Sequence, residues 1–233
     1  DFAGCGCSDG EYVSLGYYEK EDTEFILDQL HSQLHLGPFI LWGRSMGAAT
    51  SLLVDHPLVC GRISDSSFAS IQDMCTSVAL SYHLSPVFIP AAIWILKQQI
   101  IKKAKFDIIE VSPVSVSYKH VVPVVFGHAK NDQFIPFYQC KRLYIHYPSN
   151  EKDMITLQGG HNSRRTKLWI KHCVTFILHN FNIDVENPEI YTNRVLQENV
   201  FHFASFSDML NDFQCESQRK RRRKNIGKES HFR

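Results

Sequence analysis

A serine set between two glycines, Gly43-Arg44-Ser45-Met46-Gly47 within LWGRSMGAAT, follows an apolar run and precedes a run of small, helix-compatible residues. A nucleophile elbow needs this arrangement. The glycines permit a strained strand-to-helix turn and a close approach of helix to strand, which leaves the serine oxygen exposed where the helix begins. A serine hydroxyl is a weak nucleophile near neutral pH, so a base must take its proton and an acid must hold that base in one tautomer. Two downstream segments offer these groups. VVFGHAKND, residues 124–132, reads as a strand followed by a loop ending in Asp132. LQGGHN, residues 157–162, reads as a strand followed by a Gly-Gly turn that frees His161 to project over the sheet edge. The order Ser45, Asp132, His161 is the one this strand-turn-helix architecture demands. With 12 glycines in 233 residues, chance alone supplies the glycine-flanked serine only roughly 0.06 times in such a chain.

The chemistry would be acyl transfer to water. Ser45 attacks, His161 is the general base, Asp132 orients it, and the backbone N–H of Met46 faces the developing oxyanion at the positive end of the following helix. Two alternatives stay open. His128 also follows a strand, but it shares a loop with Asp132 and reads better as a satisfied loop or core histidine. Asp65 ends another strand and could replace Asp132 as the acid, although Asp65-Ser66-Ser67 also makes a good turn or helix cap. This chemistry needs no metal or organic cofactor. Cys5-Gly6-Cys7 has no second Cys or His pair at zinc-like spacing.

Positioning such groups takes a parallel sheet. Four short runs read as buried parallel strands: Phe39 to Trp42, Arg62 to Asp65, Val121 to Phe126 and Met154 to Leu157. Helical patterns lie between them. Residues 19–34 carry Ile26, Leu30 and Leu34 on one face, and a late helix carries Leu168, Cys173, Phe176, Ile177 and Phe181. The alternation predicts an α/β fold with helices on both faces of the sheet. The interval from about 69 to 118 interrupts the rhythm. It holds a helix over Pro90 to Lys105 with Ile93, Trp94, Leu96, Ile100 and Ile101 at its apolar positions, and reads as a helical cap or as a packed crossover.

The bulk composition fits one domain with a sizeable core: 44% hydrophobic and 21% charged residues. A formal charge of +1 argues against a body that binds nucleic acid through its field. Seven cysteines, odd in number and scattered, point to reduced thiols and a cytoplasmic compartment. No run approaches the length of a membrane span, and no signal peptide opens the sequence. The organisation expected is a hydrolase domain over residues 1–183 and a polar tail over 184–233. The run Arg219 to Lys224 makes that tail basic and disordered, and suits it to nuclear import or acidic lipid.

DFAGCGCSDGEYVSLG, LWGRSMGAATSLL, KKAKFDI, VVFGHAKNDQFI and GGHNS, in this order, resemble the α/β-hydrolase family from Asp1 to about Phe181. They are most similar to an uncharacterised branch seen in plants and protists and grouped with serine aminopeptidase-like hydrolases. The resemblance implies the roles of Ser45, Asp132 and His161 given above. It also implies that the chain begins beyond the family's first three strands and most of the fourth. The oxyanion loop after the third strand would then be missing, and Phe39 to Trp42 would become an apolar edge strand. The expected function is a serine hydrolase that cleaves an ester, thioester or amide of a small, lipid-like, acylated or peptide substrate. The alternative is a non-catalytic hydrolase-like binding protein or an inactive fragment.

Overall fold

The computed structural model describes residues 1–183 and 188–197. In chain order its elements are α1 (Tyr17–Leu34), β1 (Phe39–Arg44), α2 (Met46–Leu53), β2 (Val59–Asp65), α3 (Ile71–Ser81) and α4 (Ile89–Ala104). There follow α5 (Pro113–Val116), a 3-10 turn (Ser117–Lys119), β3 (Val124–Ala129), α6 (Phe137–His146), β4 (Lys152–Leu157), α7 (Lys167–Asn180) and α8 (Pro188–Gln197). The four strands form one parallel sheet in the order β1-β2-β3-β4. The fold is therefore the expected α/β arrangement, because parallel neighbours need helical crossovers and these cover both faces.

Side-chain alternation along β3 shows the two-sided burial. Val125 and Ala129 pack with Ile63, Trp169, Ile170, Cys173 and Val174 on the α7 side, whereas Val124 and Phe126 pack with Leu52, Cys140, Leu143 and Tyr147 on the α2 and α6 side. Gly127 faces α7 as well, where a Cβ would lie 2.5 Å from the Trp169 ring. All six residues of β1 are only partly buried, and among the described residues β1 pairs with β2 alone, which makes it an edge strand.

Several helical faces differ from the sequence pattern. In α7 the buried set is Trp169, Ile170, Cys173, Val174 and Leu178, and Leu168 is exposed. In α1 the buried residues are Glu19 and Leu27, while Ile26 and Leu34 are exposed. Glu19 is buried because its carboxylate accepts from the Ser14 and Gly16 amides at 2.8 Å each and from the Ser14 hydroxyl, so it closes the N-terminus of α1. In α4, Ile89 is buried and Ile93 and Ile100 pack onto the core, but Trp94, Leu96 and Ile101 are exposed. The interval 69–118 thus contributes α3, α4, α5 and the 3-10 turn between β2 and β3. Within the segment read as a polar tail, residues 188–197 are helical, and Val195 and Leu196 of α8 pack against the α7 cluster. The run Arg219 to Lys224 lies outside the described residues. No described helix is long and apolar enough to cross a membrane.

Helix α2 is buried along most of its length, from Ala48 to Leu53, and its C-terminal carbonyls are held by a buried arginine. Arg62 of β2, 2% exposed, donates to Ser51 O and, at 2.9 Å, to Val54 O. It also reaches Nδ1 of His120 at 3.3 Å, and Nε2 of His120 donates to Leu52 O at 2.9 Å. A cation at this end complements the helix dipole and satisfies carbonyls that have no partner inside the helix.

Candidate active site

The turn from β1 into α2 forces Ser45 to φ 52° and ψ −117°, a region that a residue with a Cβ occupies only under constraint. Two backbone bonds impose it: Ser45 N donates to Asp65 O at 2.8 Å, and Ala49 N donates to Ser45 O at 3.0 Å. The two flanking glycines are not equivalent. A Cβ on Gly43 would lie 2.1 Å from the carbonyl atoms of Gly47, so only glycine lets the strand end pass so close to the helix, whereas a Cβ on Gly47 would meet nothing within 4 Å. Met46 is the first residue of α2, and the amides of a first helical turn have no carbonyl partner inside the helix.

Asp132 and His161 arrive from the ends of β3 and β4. His161 Nε2 lies 2.9 Å from Ser45 Oγ, and Nδ1 lies 2.7 Å from Asp132 Oδ2. With Nδ1 protonated and donating to the carboxylate, Nε2 is free to accept the serine proton. The Asp132 side chain is fully buried and His161 is 12% exposed. Asp132 Oδ1 accepts from the amides of Phe134 (3.0 Å) and Ile135 (2.8 Å). Burial pushes the Asp132 carboxyl upward. The hydrogen bond and charge of His161, the Ile135 amide and His128 outweigh it, and the group sits below its ordinary value. The Phe134 ring meets the His161 ring edge-on, with centroids 5.2 Å apart.

The other two candidates take different places. His128 is fully buried and its Nε2 donates to Ile135 O at 2.7 Å. Burial lowers its pKa against the opposing pull of that carbonyl and of Asp132, which makes it a neutral core histidine beneath the Asp132 loop. Asp65 is likewise not the acid that meets His161. Its carboxylate is bound by Arg165, through Nε at 3.1 and 2.8 Å and Nη2 at 2.7 Å.

Arg165 is the residue that sequence reasoning missed, although it stands four positions after His161 in GGHNSRR. Besides Asp65 it donates to Ser66 Oγ (2.9 Å) and, at 3.3 Å each, to the carbonyls of Gly160, His161 and Ser163. Arg44 also donates to His161 O and, at 3.3 Å, to Ser163 O. Burial and then the nearby Arg165 bring the Arg44 pKa down to about 10 against Asp65 and Asp132. Among the described residues, no three His, Cys, Asp or Glu side chains gather where they could hold a metal.

No family model matches the chain. The uncharacterized protein YqkD of Bacillus subtilis (strain 168) is 32% identical over 170 residues, taking in 70% of this chain and 54% of that protein. The chain therefore spans about half the length of this relative. The Pyrococcus furiosus esterase Pf2001 superposes with a TM-score of 0.52 at 16% identity, over 69% of this chain and 60% of that one. A puromycin hydrolase superposes with a TM-score of 0.54 at 14% identity, over 75% of this chain and 27% of that one. At such identities the likeness carries the fold, which is that of the α/β-hydrolases.

Proposed function

We propose that the protein is a serine hydrolase working through an acyl-enzyme, a reading carried by the continuous relay from Ser45 Oγ through the His161 ring to Asp132. Ser45 Oγ attacks the substrate carbonyl as its proton passes to His161 Nε2. Asp132 stabilises the imidazolium without taking the proton. The carbonyl oxygen becomes an oxyanion that accepts from Met46 N–H at the start of α2. His161 then protonates the leaving group, and a water deprotonated by the same nitrogen releases the acid and restores Ser45. No metal is required for any of these steps.

The substrate class is an ester, thioester or amide, with an acyl ester or thioester favoured by the apolar side chains of the segment between β2 and β3. In this reading residues 1–183 form one hydrolase domain and that segment is its cap. The protein acts in a reducing, cytoplasmic compartment, and the basic run Arg219 to Lys224 serves as a contact for acidic lipid or nuclear import. A fluorophosphonate probe tests the enzymatic reading. The wild type should label and Ser45→Ala should not. Absence of labelling on a folded full-length protein refutes catalysis and leaves a binding role, whereas labelling of the full-length protein but not of residues 1–233 alone identifies these residues as an inactive fragment.

A further inference from the structure

Asp65 sits at the junction of the two halves of this site. Its backbone carbonyl accepts from the Ser45 amide at 2.8 Å, and its carboxylate is held by Arg165 in a pair whose side chains are 3% and 1% exposed. The same guanidinium reaches the carbonyls on either side of His161 and that of His161 itself. The turn it grips is closed on itself: Gly160 N donates to Ser163 Oγ at 2.8 Å, and Ser163 N donates to Gly160 O at 3.3 Å. The turn also depends on glycine, because Gly159 has φ +86° and a Cβ there would lie 2.5 Å from the Ser163 side chain. Arg44, next to Ser45, adds a second donor to His161 O.

We infer that Asp65 and Arg165 form a positioning pair that sets the distance between His161 and Ser45. The inference rests on the reading of Ser45 as a nucleophile. Neither residue touches substrate in this role. Asp65 ties β2 to the nucleophile's turn through its backbone, and to the turn of the base through Arg165. A displacement of one turn is thereby transmitted to the other. Stability alone does not account for the pair, since a buried ion pair is commonly no more stabilising than apolar residues of similar volume. A planar guanidinium, by contrast, offers five N–H groups in fixed directions, which the two carboxylate oxygens, the Ser66 hydroxyl and the three carbonyls share, an arrangement an ammonium cannot match.

The test separates geometry from folding. Arg165→Lys keeps the charge and loses the fork. The double variant Asp65→Leu with Arg165→Met removes both charges and leaves the Asp65 carbonyl bond to Ser45 N in place. Both are followed by the rate of fluorophosphonate labelling, by kcat and KM on a p-nitrophenyl ester, and by thermal unfolding. In the double variant labelling and kcat should fall about 100-fold, the loss expected of an ångström-scale misplacement. KM should hold and the melting temperature should stay near that of the wild type. Arg165→Lys should fall in the same way.

A folded double variant or Arg165→Lys that labels at the wild-type rate overturns the inference. Nitrogen-15 NMR of the His161 Nδ1 proton supplies a readout independent of chemistry. The signal should be sharp in the wild type and broadened in Arg165→Lys, and an unchanged signal in a folded variant overturns the inference too. A wild type that fails to label while the NMR response holds refutes the hydrolase reading and leaves the positioning intact.

Discussion

Acidification should loosen this protein through His120, well away from the candidate site. His120 is 5% exposed, its Nε2 donates to Leu52 O, and its Nδ1 accepts from Arg62. A second proton on the ring would have to sit on Nδ1, facing a guanidinium. Burial first, and Arg62 next, bring the pKa from 6.5 to about 4. The sign follows from proton uptake. As pH falls the unfolded chain protonates near 6.5 and the folded one only near 4, so folding stability is lost across that window and levels off below it. The interval between 6.5 and about 4 corresponds to about 3 kcal/mol in all, of which about 2 kcal/mol is gone by pH 5. Urea unfolding at pH 7.5 and pH 5.0 measures it. His120→Gln keeps a donor for Leu52 O and an acceptor for Arg62 but cannot titrate. The wild type should lose about 2 kcal/mol more than His120→Gln between the two pH values. His128, whose pKa is also lowered, acts in both proteins and cancels. Equal pH dependence in the two proteins would refute the reasoning.

Asp132→Asn should keep its fold by circular dichroism and lose about 10⁴-fold in p-nitrophenyl ester hydrolysis, because the amide no longer enforces the His161 tautomer; a loss within tenfold contradicts the proposed role. Ser70→Ala removes the hydroxyl that accepts from Asp73 N at 3.0 Å at the N-terminus of α3, and should cost about 1 kcal/mol in urea unfolding. An unchanged midpoint would show that the cap is redundant. Gly127→Ala drives a Cβ into the Trp169 ring, which is 1% exposed. It should destabilise the protein by about 1–3 kcal/mol and shift tryptophan emission to the red, whereas wild-type emission would mean that the sheet yields there instead.

The strands were readable as short runs bounded by small or polar residues, but burial on both faces removes the need for alternation only in β2 and β3, since β1 is partly buried throughout and β4 keeps exposed residues. Ser45, Asp132 and His161 were readable for another reason: each follows a strand, and chain order does the rest. The faces of α1 and α7 were legible only in part. In α7 Cys173, Phe176 and Ile177 of the expected face pack against the sheet, but the face is centred on Trp169, Ile170, Val174 and Leu178 and leaves Leu168 exposed, a rotation that only packing against β2 and β3 decides. In α1 a buried carboxylate, Glu19, takes a position that periodicity assigns to solvent. Arg165 left no periodic trace at all. Its partners Asp65 and Gly160 stand 100 and 5 residues away, and only the folded chain joins them. The helix at 188–197 was missed because its polar composition resembles that of the tail beyond it.

The anchoring of α2 at both ends bears on how such a chain can evolve. Arg62 grips its last carbonyls, the Asp65 carbonyl fixes the residue before its first turn, and most of the helix between them is packed out of reach of water. Almost every single replacement there disturbs a neighbour. The outward side of α4 is under no such restraint: Trp94 and Ile95 are 62% and 55% exposed, and new side chains could be tried there without repacking the interior. Replacements are thus better tolerated on the outward side of α4 than around the Ser45 turn.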